Sequence, residues 1–266
     1  MQASLFPAEN PAPVSPVALL APSSCRIRTG CAGWSLPRTV WPEFPTAGTH
    51  LQRYAARFNA VEINSSFYRP HQPGTYARWA DSVPENFRFS VKLPKTITHQ
   101  HRLVDCSVFL DTFLAQVTCL GKRLGCLLVQ LPPSLAFDAG TVKAFLAALR
   151  ERHGGPVALE PRHASWFAPP AEALLNACRI GRVLADPLVD EAGRMPGGFA
   201  GLVYVRLHGS PRMYYSAYER TFLDALIVRL ELAAGPDANV WCIFDNTAEG
   251  AAIADALYTT AGLALR

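Results

Sequence analysis

Eight short β-rich runs alternate with amphipathic helical segments along this chain, and few folds accommodate that order. The strand-like runs are residues 26–30 (RIRTG), 60–64 (AVEIN), 87–93 (FRFSVKL), 126–131 (CLLVQL), 157–160 (VALE), 181–186 (GRVLAD), 202–209 (LVYVRLHG) and 240–246 (VWCIFDN). Between them lie helical patterns such as HLQRYAARF, where Leu51, Tyr54, Ala55 and Phe58 fall on one face. VFLDTFLAQVTCL, TVKAFLAALR, SAYERTFLDALIVRL and TAEGAAIADAL follow, the last with Thr247 as its expected N-cap. Strand-helix alternation demands parallel strands with helical crossovers, and eight units predict an α/β fold of the TIM type, a (β/α)8 barrel. The unit after strand six, PLVDEAGRMPGGFAG, is too rich in proline and glycine for a helix, so it is expected to be degenerate, with a loop in its place.

The domain organisation follows from the same pattern. Residues 1–24 read as a flexible Pro/Ala-rich leader without the basic start of a signal peptide, and residues 25–266 as a single barrel domain with no linker inside it. Half of the 266 residues are hydrophobic and 17% are charged, enough for a large core. No apolar run approaches the ~20 residues that span a bilayer, so no membrane partner is expected. Seven scattered cysteines without CxxC spacing indicate neither disulfides nor a zinc knuckle, and read as core residues of a cytoplasmic protein. A net charge of +4 is too small for a dedicated nucleic-acid coat, so anion binding would be local.

Side chains alternate along a strand, which sorts the polar residues. Glu62 and Asn64 are expected to point into the barrel, as are Arg88, Ser90 and Lys92, then Glu160, then Tyr204, Arg206 and His208. Gln130 ends the fourth run, Asp186 the sixth, and Asp245 with Asn246 the eighth. These residues collect at the strands' C-terminal ends, the face where barrel enzymes carry their sites. Burying so many charges costs several kcal/mol per ion unless each is paired. Salt bridges plugging the upper layer are the bland reading, and a functional site the favoured one.

The segments GCAGWS, RYAARFNAVEINSSFYRP, FRFSVKLPKTITHQHRL, LGKRLGCLLVQLPPSL, ALEPRHASWF, YVRLHG and FDNTAEGAAIADAL together resemble the domain of unknown function 72 family, also called YecE-like. The resemblance covers everything after the leader and implies a TIM-type barrel without an assigned activity. Two departures stand out. Asp245-Asn246 replaces the family's usual asparagine pair, and Pro161 separates Glu160 from Arg162 and His163, which bears on how those two are oriented.

The chemistry follows from the residue types. Arg69, Lys92, Lys95, His99, His101, Arg102, Arg162, His163, Arg206, His208 and Arg212 make the expected mouth cationic. Such a funnel suits a small anionic ligand, phosphorylated or carboxylated and sugar-like. Trp34, Phe67, Tyr68, Tyr214 and Tyr215 can stack on it, while Trp166 reads equally as rim packing. Glu160 or Glu62 is the expected general base, His208 its acid partner, and Lys92 or Arg206 the stabiliser of developing negative charge, as in a hydrolase or isomerase. Asn64, Tyr68, Gln130, Arg162, His163, Arg206, Tyr214, Asp245 and Asn246 complete the expected ligand contacts. A divalent metal on Glu160, Asp186, His208 and Asp245 is an alternative that the cations Arg206 and Lys92 disfavour. Cys31 reads as core and the GCAGWS glycines as a loop presenting backbone N–H groups to a ligand. The alternative function is nucleic-acid binding or repair of an endonuclease-like, metal-dependent kind.

Overall fold

A computed structural model describes residues 27–235 and 238–265; the leader, Cys25 and Arg26 lie outside the described residues. The strands are β1 (Ile27–Cys31), β2 (Ala60–Ile63), β3 (Arg88–Lys92), β4 (Leu124–Gln130), β5 (Val157–Glu160), β6 (Ile180–Arg182), β7 (Leu184–Asp186), β8 (Gly197–Gly198), β9 (Leu202–Leu207) and β10 (Asn239–Phe244). The helices are α1 (His50–Ala55), α2 (Pro73–Asp81), α3 (Ser107–Val117), α4 (Ala139–Arg152), α5 (Pro169–Ala177), α6 (Arg220–Ala233) and α7 (Ala251–Ala264). Hydrogen bonding joins β1-β10-β9-β7 in one sheet and β2-β3-β4-β5-β6-β8 in another, all parallel except β8.

The two sheets meet at both seams, completing the eight-position ring of a TIM-type barrel. At one seam Ala32 bridges to Glu62, and the Gly33 N–H donates to the Glu62 carbonyl at 2.9 Å. Gly30 permits this approach, since a Cβ there would lie 2.0 Å from the Ala60 carbonyl oxygen. At the other seam the sixth run divides at Val183: Ile180–Arg182 pairs with β5, and Leu184–Asp186 pairs with β9. One segment thus serves both sheets.

Alternation produces two cores. Outward residues such as Val61, Ile63, Phe89, Val91, Leu127 and Leu159 are buried beneath the helices. Each such side chain contributes roughly 1.5–3 kcal/mol of hydrophobic stabilisation. Inside, Ala60, Cys126, Leu128, Tyr204, Trp241 and Ile243 fill the lower barrel, with Trp241 stacked on Tyr204 at 5.8 Å. The polar layer sits above this apolar floor.

After β7 the chain makes a single 3-10 turn, Glu191–Gly193, and then β8, with no α-helix. The degenerate unit is therefore as the sequence predicts. It leaves a groove of about 340 Å³ on the barrel's outside, lined by Leu184, Val203 and Val205 on the strand side and by Leu226 and Leu230 of α6. Two local expectations are corrected. Thr247 does not cap α7: Gly250 does, at φ 84°, a left-handed conformation that glycine adopts without strain. The glycine-rich loop after β1 directs backbone N–H groups at neighbouring strands, Ala32 to the Phe244 carbonyl and Gly33 to that of Glu62. Among the described residues no helix is long and apolar enough to cross a membrane.

Candidate functional site

Arg206, the penultimate residue of β9, is wholly buried and forms the centre of the polar layer. Its Nε and Nη2 donate to the two carboxylate oxygens of Glu62 at 2.9 and 2.6 Å, while Nη1 donates to Glu160 Oε2 at 2.9 Å. Nη2 also lies 3.0 Å from Asp245 Oδ2. One guanidinium thus ties β2, β5 and the end of β10 to β9. Tyr204, two residues earlier on the same face, donates its hydroxyl to Glu62 Oε2 at 2.9 Å and lies 2.9 Å from Ser90 Oγ. Burial alone would discharge Arg206, but Asp245, Glu62 and Glu160 hold its pKa well above the ordinary value.

His208 forms the second node. Its Nε2 lies 2.9 Å from Glu160 Oε1 and its Nδ1 3.1 Å from Asp245 Oδ2. A carboxylate oxygen at each ring nitrogen favours the protonated ring, while Arg162 Nη1 at 3.3 Å and Arg206 Nη1 at 3.5 Å also lie against Nε2. Burial opposes that charge, yet Glu160 and Asp245 raise the pKa. Glu160 Oε1 also accepts from Arg162 Nη1 at 3.0 Å and Gln130 Nε2 at 3.1 Å. Burial would raise the Glu160 pKa, but Arg206, His208 and Arg162 hold it well below the usual carboxylate range. Burial likewise acts to raise the pKa of Asp245, and Arg206, His208 and Lys92 lower it.

This geometry revises several expected roles. Both carboxylate oxygens of Glu62 and of Glu160 are already engaged by partners within the protein. His208 has a carboxylate oxygen within hydrogen-bond distance of each ring nitrogen, so in this arrangement its ring is engaged within the protein. Arg206 has no guanidinium edge left for a ligand. Charge in the upper barrel is therefore largely internal, as the bland reading held for single pairs.

Lys92 differs. It ends β3 at 5% exposure, and no hydrogen bond or ion pair to its ammonium exists among the described residues. Its Nζ sits 4.3 Å from the centroid of Phe67, which approaches from the 3-10 turn after β2. His99, carried by a π-helical turn after β3, contacts the other part of this cluster with its ring 4.9 Å from Phe67. Burial first, and Arg206 second, lower the Lys92 pKa to about 8, against the attraction of Glu62, Glu160 and Asp245. Burial, then Lys92, lowers that of His99. Asn64 caps the turn that holds Phe67, and its buried Oδ1 has no hydrogen-bond partner.

The remaining expected residues separate into rim and scaffold. Arg162 reaches the network despite Pro161, and its Nη2 points to Met213 Sδ at 3.8 Å, a contact that the sequence pattern does not signal. Tyr214 stands edge-on to His208 at 5.6 Å and is 42% exposed, while Tyr68 is exposed on the β2 side. His163 instead caps the turn Ala164–Phe167, accepting from the Ser165 N–H. Asn246 faces away from the barrel interior, donating to Asp255 Oδ2 at 2.7 Å and to the Ser216 carbonyl at 2.9 Å. Asp186 shares the outer face with Leu184 and accepts from the Tyr218 hydroxyl at 2.8 Å. Trp166 is fully buried and donates to the Leu135 carbonyl, Trp34 packs edge-on against Trp79, and Tyr215 lies under Arg212. Cys31 is buried with its thiol directed at the Ala252 carbonyl.

The alternative metal set does not assemble. Among the described residues no group of three or more His, Cys, Asp or Glu side chains is arranged to hold an ion. Asp186 faces outward, and the Arg206 guanidinium lies between Glu160 and Asp245, where a divalent ion would meet like charge.

The comparisons agree with this barrel. A family profile described as "Protein of unknown function DUF72" matches residues 28–266. The UPF0759 protein YecE of Escherichia coli K12 is 32% identical over 166 residues, 60% of each chain. The UPF0759 protein YunF of Bacillus subtilis 168 is 30% identical over 151 residues, 54% of this chain and 53% of its own. The chain therefore matches between about half and three-fifths of the length of these curated relatives. A crystal structure of a DUF72 family protein from Enterococcus faecalis V583 superposes with a TM-score of 0.76 at 23% identity, covering 90% of this chain and 96% of its own. One from Thermotoga maritima MSB8 gives 0.72 at 25% identity, with 90% and 99% covered. Fold and motifs lead to one conclusion: the chain belongs to the DUF72 family of proteins of unknown function.

Proposed function

We propose that the C-terminal mouth of the barrel binds a small anionic ligand carrying a phosphate or carboxylate. One observation carries this reading: among four buried or half-buried cations in the upper layer, Lys92 alone lacks an anionic partner. Arg206 takes up Glu62, and Arg162 and His208 share Glu160 and Asp245 with it. Arg206, Arg162 and His208 thus occupy the carboxylates of Glu62, Glu160 and Asp245 at ion-pair distance, and Lys92 lies beyond it. A desolvated cation without a counter-ion is costly, and an incoming anion removes that cost. Arg162, which reaches Met213 Sδ at 3.8 Å, and Tyr214, edge-on to His208, are the further residues of the rim that such an anion would meet.

Thermal-shift and calorimetric titrations with inorganic phosphate, citrate and ribose 5-phosphate test the proposal. Binding is expected to raise the melting temperature, to release or take up less than one proton, and to vanish in Lys92→Met. A single-stranded oligonucleotide serves as the competing class. Tight oligonucleotide binding that falls steeply with salt would replace the small-anion reading with nucleic-acid recognition, and either no response of the parent protein to any of the anions or undiminished binding by Lys92→Met would remove it.

A further inference from the structure

We propose that Lys92 is an amine nucleophile that forms a reversible imine with a small anionic carbonyl compound, of which 2-oxo acids are the simplest class. The inference rests on the anion-binding reading of the same mouth and goes beyond it to covalent chemistry. Three structural observations combine. Lys92 ends a barrel strand at the face where barrels carry their chemistry, with its side chain held in one place by burial and by the Phe67 ring. No carboxylate pairs with its ammonium, so no ion pair must be broken to deprotonate it. His99 contacts the same Phe67 ring, with Nδ1 engaged by Thr98 Oγ1 at 2.9 Å and no partner for Nε2 among the described residues.

These features match what imine formation needs. A lysine is nucleophilic only as the free amine. With the Lys92 pKa at about 8, roughly one side chain in ten is the free amine at pH 7, against about one in 3,000 at the ordinary value of 10.5. His99, with its pKa lowered and its ring neutral at that pH, is a nearby acceptor for the ammonium proton. The amine adds to the carbonyl carbon, the carbonyl oxygen takes up two protons and leaves as water, and a protonated C=N bond remains. Lysine ammonium and carbonyl compound thus give iminium and water, with charge conserved. The product keeps the positive charge, so it still faces the substrate's own carboxylate, a pairing that selects 2-oxo acids over neutral ketones.

The other lysines, Lys95, Lys122 and Lys143, are all exposed and act as internal controls. The full chain is incubated with pyruvate and sodium borohydride at pH 7, and the adduct is located by peptide mass spectrometry. One reduced pyruvate adduct on Lys92 is expected. Inorganic phosphate should slow it, acetone should not give it, and Lys92→Arg should abolish it with the fold intact by circular dichroism. His99→Gln should slow trapping with the fold intact by circular dichroism. Adducts spread evenly over the four lysines, or none at all, would overturn the imine. If phosphate still binds in that case, the anion reading stands alone; if phosphate also fails to bind, both fall.

Discussion

Replacing Arg206 with methionine tests whether the buried network is scaffold. The side chain is fully buried and supplies four short contacts, two to Glu62 and one each to Glu160 and Asp245. Glu160 would retain His208, Arg162 and Gln130, and Asp245 would retain His208. Glu62 would keep only the Tyr204 hydroxyl, so the loss falls mainly on one carboxylate sealed inside the barrel. Leaving a buried charge without its partner costs about 3–5 kcal/mol. At about 2–4 °C per kcal/mol for a domain of this size, the melting temperature should drop by roughly 6–20 °C. The sign of the pH effect follows from the same geometry. An orphaned Glu62 is relieved by protonation, so the deficit of Arg206→Met relative to the parent should shrink from pH 8 to pH 5. Adding Glu62→Gln removes the orphaned charge and should restore most of the loss. Thermal and urea unfolding of the parent, single and double variants at the two pH values decide the matter. A drop below about 2 °C, a deficit that grows on acidification, or a double variant no better than the single would refute the reasoning.

Two further outcomes follow from other contacts. Lys92→Met should raise stability at pH 7 by on the order of 3 kcal/mol, the cost of holding a lysine with a pKa of about 8 instead of 10.5 in the charged state. Because the folded value is the lower one, that cost is full below pH 8 and disappears as pH rises to 10.5; the melting-temperature gap between the parent and Lys92→Met should close over that range. Tyr218→Phe removes the hydroxyl that accepts from the Gly209 N–H at 2.8 Å and donates to Asp186 at 2.8 Å. Urea unfolding should show a loss of about 1–3 kcal/mol from those stranded groups.

The inward set was legible where a strand is apolar on one face and polar on the other. In LVYVRLHG the outward Val203, Val205 and Leu207 leave no choice for Tyr204, Arg206 and His208, and the structure places those three in the barrel interior. In GRVLAD the contrast runs the other way: the apolar set Val183 and Ala185 faces in, and the face that carries Arg182, Leu184 and Asp186 faces out, which turns Asp186 onto Tyr218. Asp245 and Asn246 are adjacent, and only one can share the inward face with Trp241 and Ile243. Partner choice was beyond any local pattern. Glu62 and Arg206 are 144 positions apart, and only closure of the ring makes one the bidentate acceptor of the other. For His163 a local demand competes with any ligand role: its Nδ1 satisfies a backbone N–H at the start of a short turn, which strand alternation does not signal.

The charged residues of this barrel divide by whether a partner within the protein already meets their needs. A planar guanidinium can satisfy several carboxylates at once, and Arg206 does so at three. An ammonium is a point charge with three donors, and Lys92, 5% exposed, has no acceptor for them among the described residues. Such a residue adds nothing to folding that methionine would not supply better, which is the physical basis for proposing that its charge serves a molecule entering the mouth. The network around Arg206 engages three carboxylates that would otherwise lie open to Lys92, and on the proposed reading this leaves one cation at the end of β3 available to a ligand.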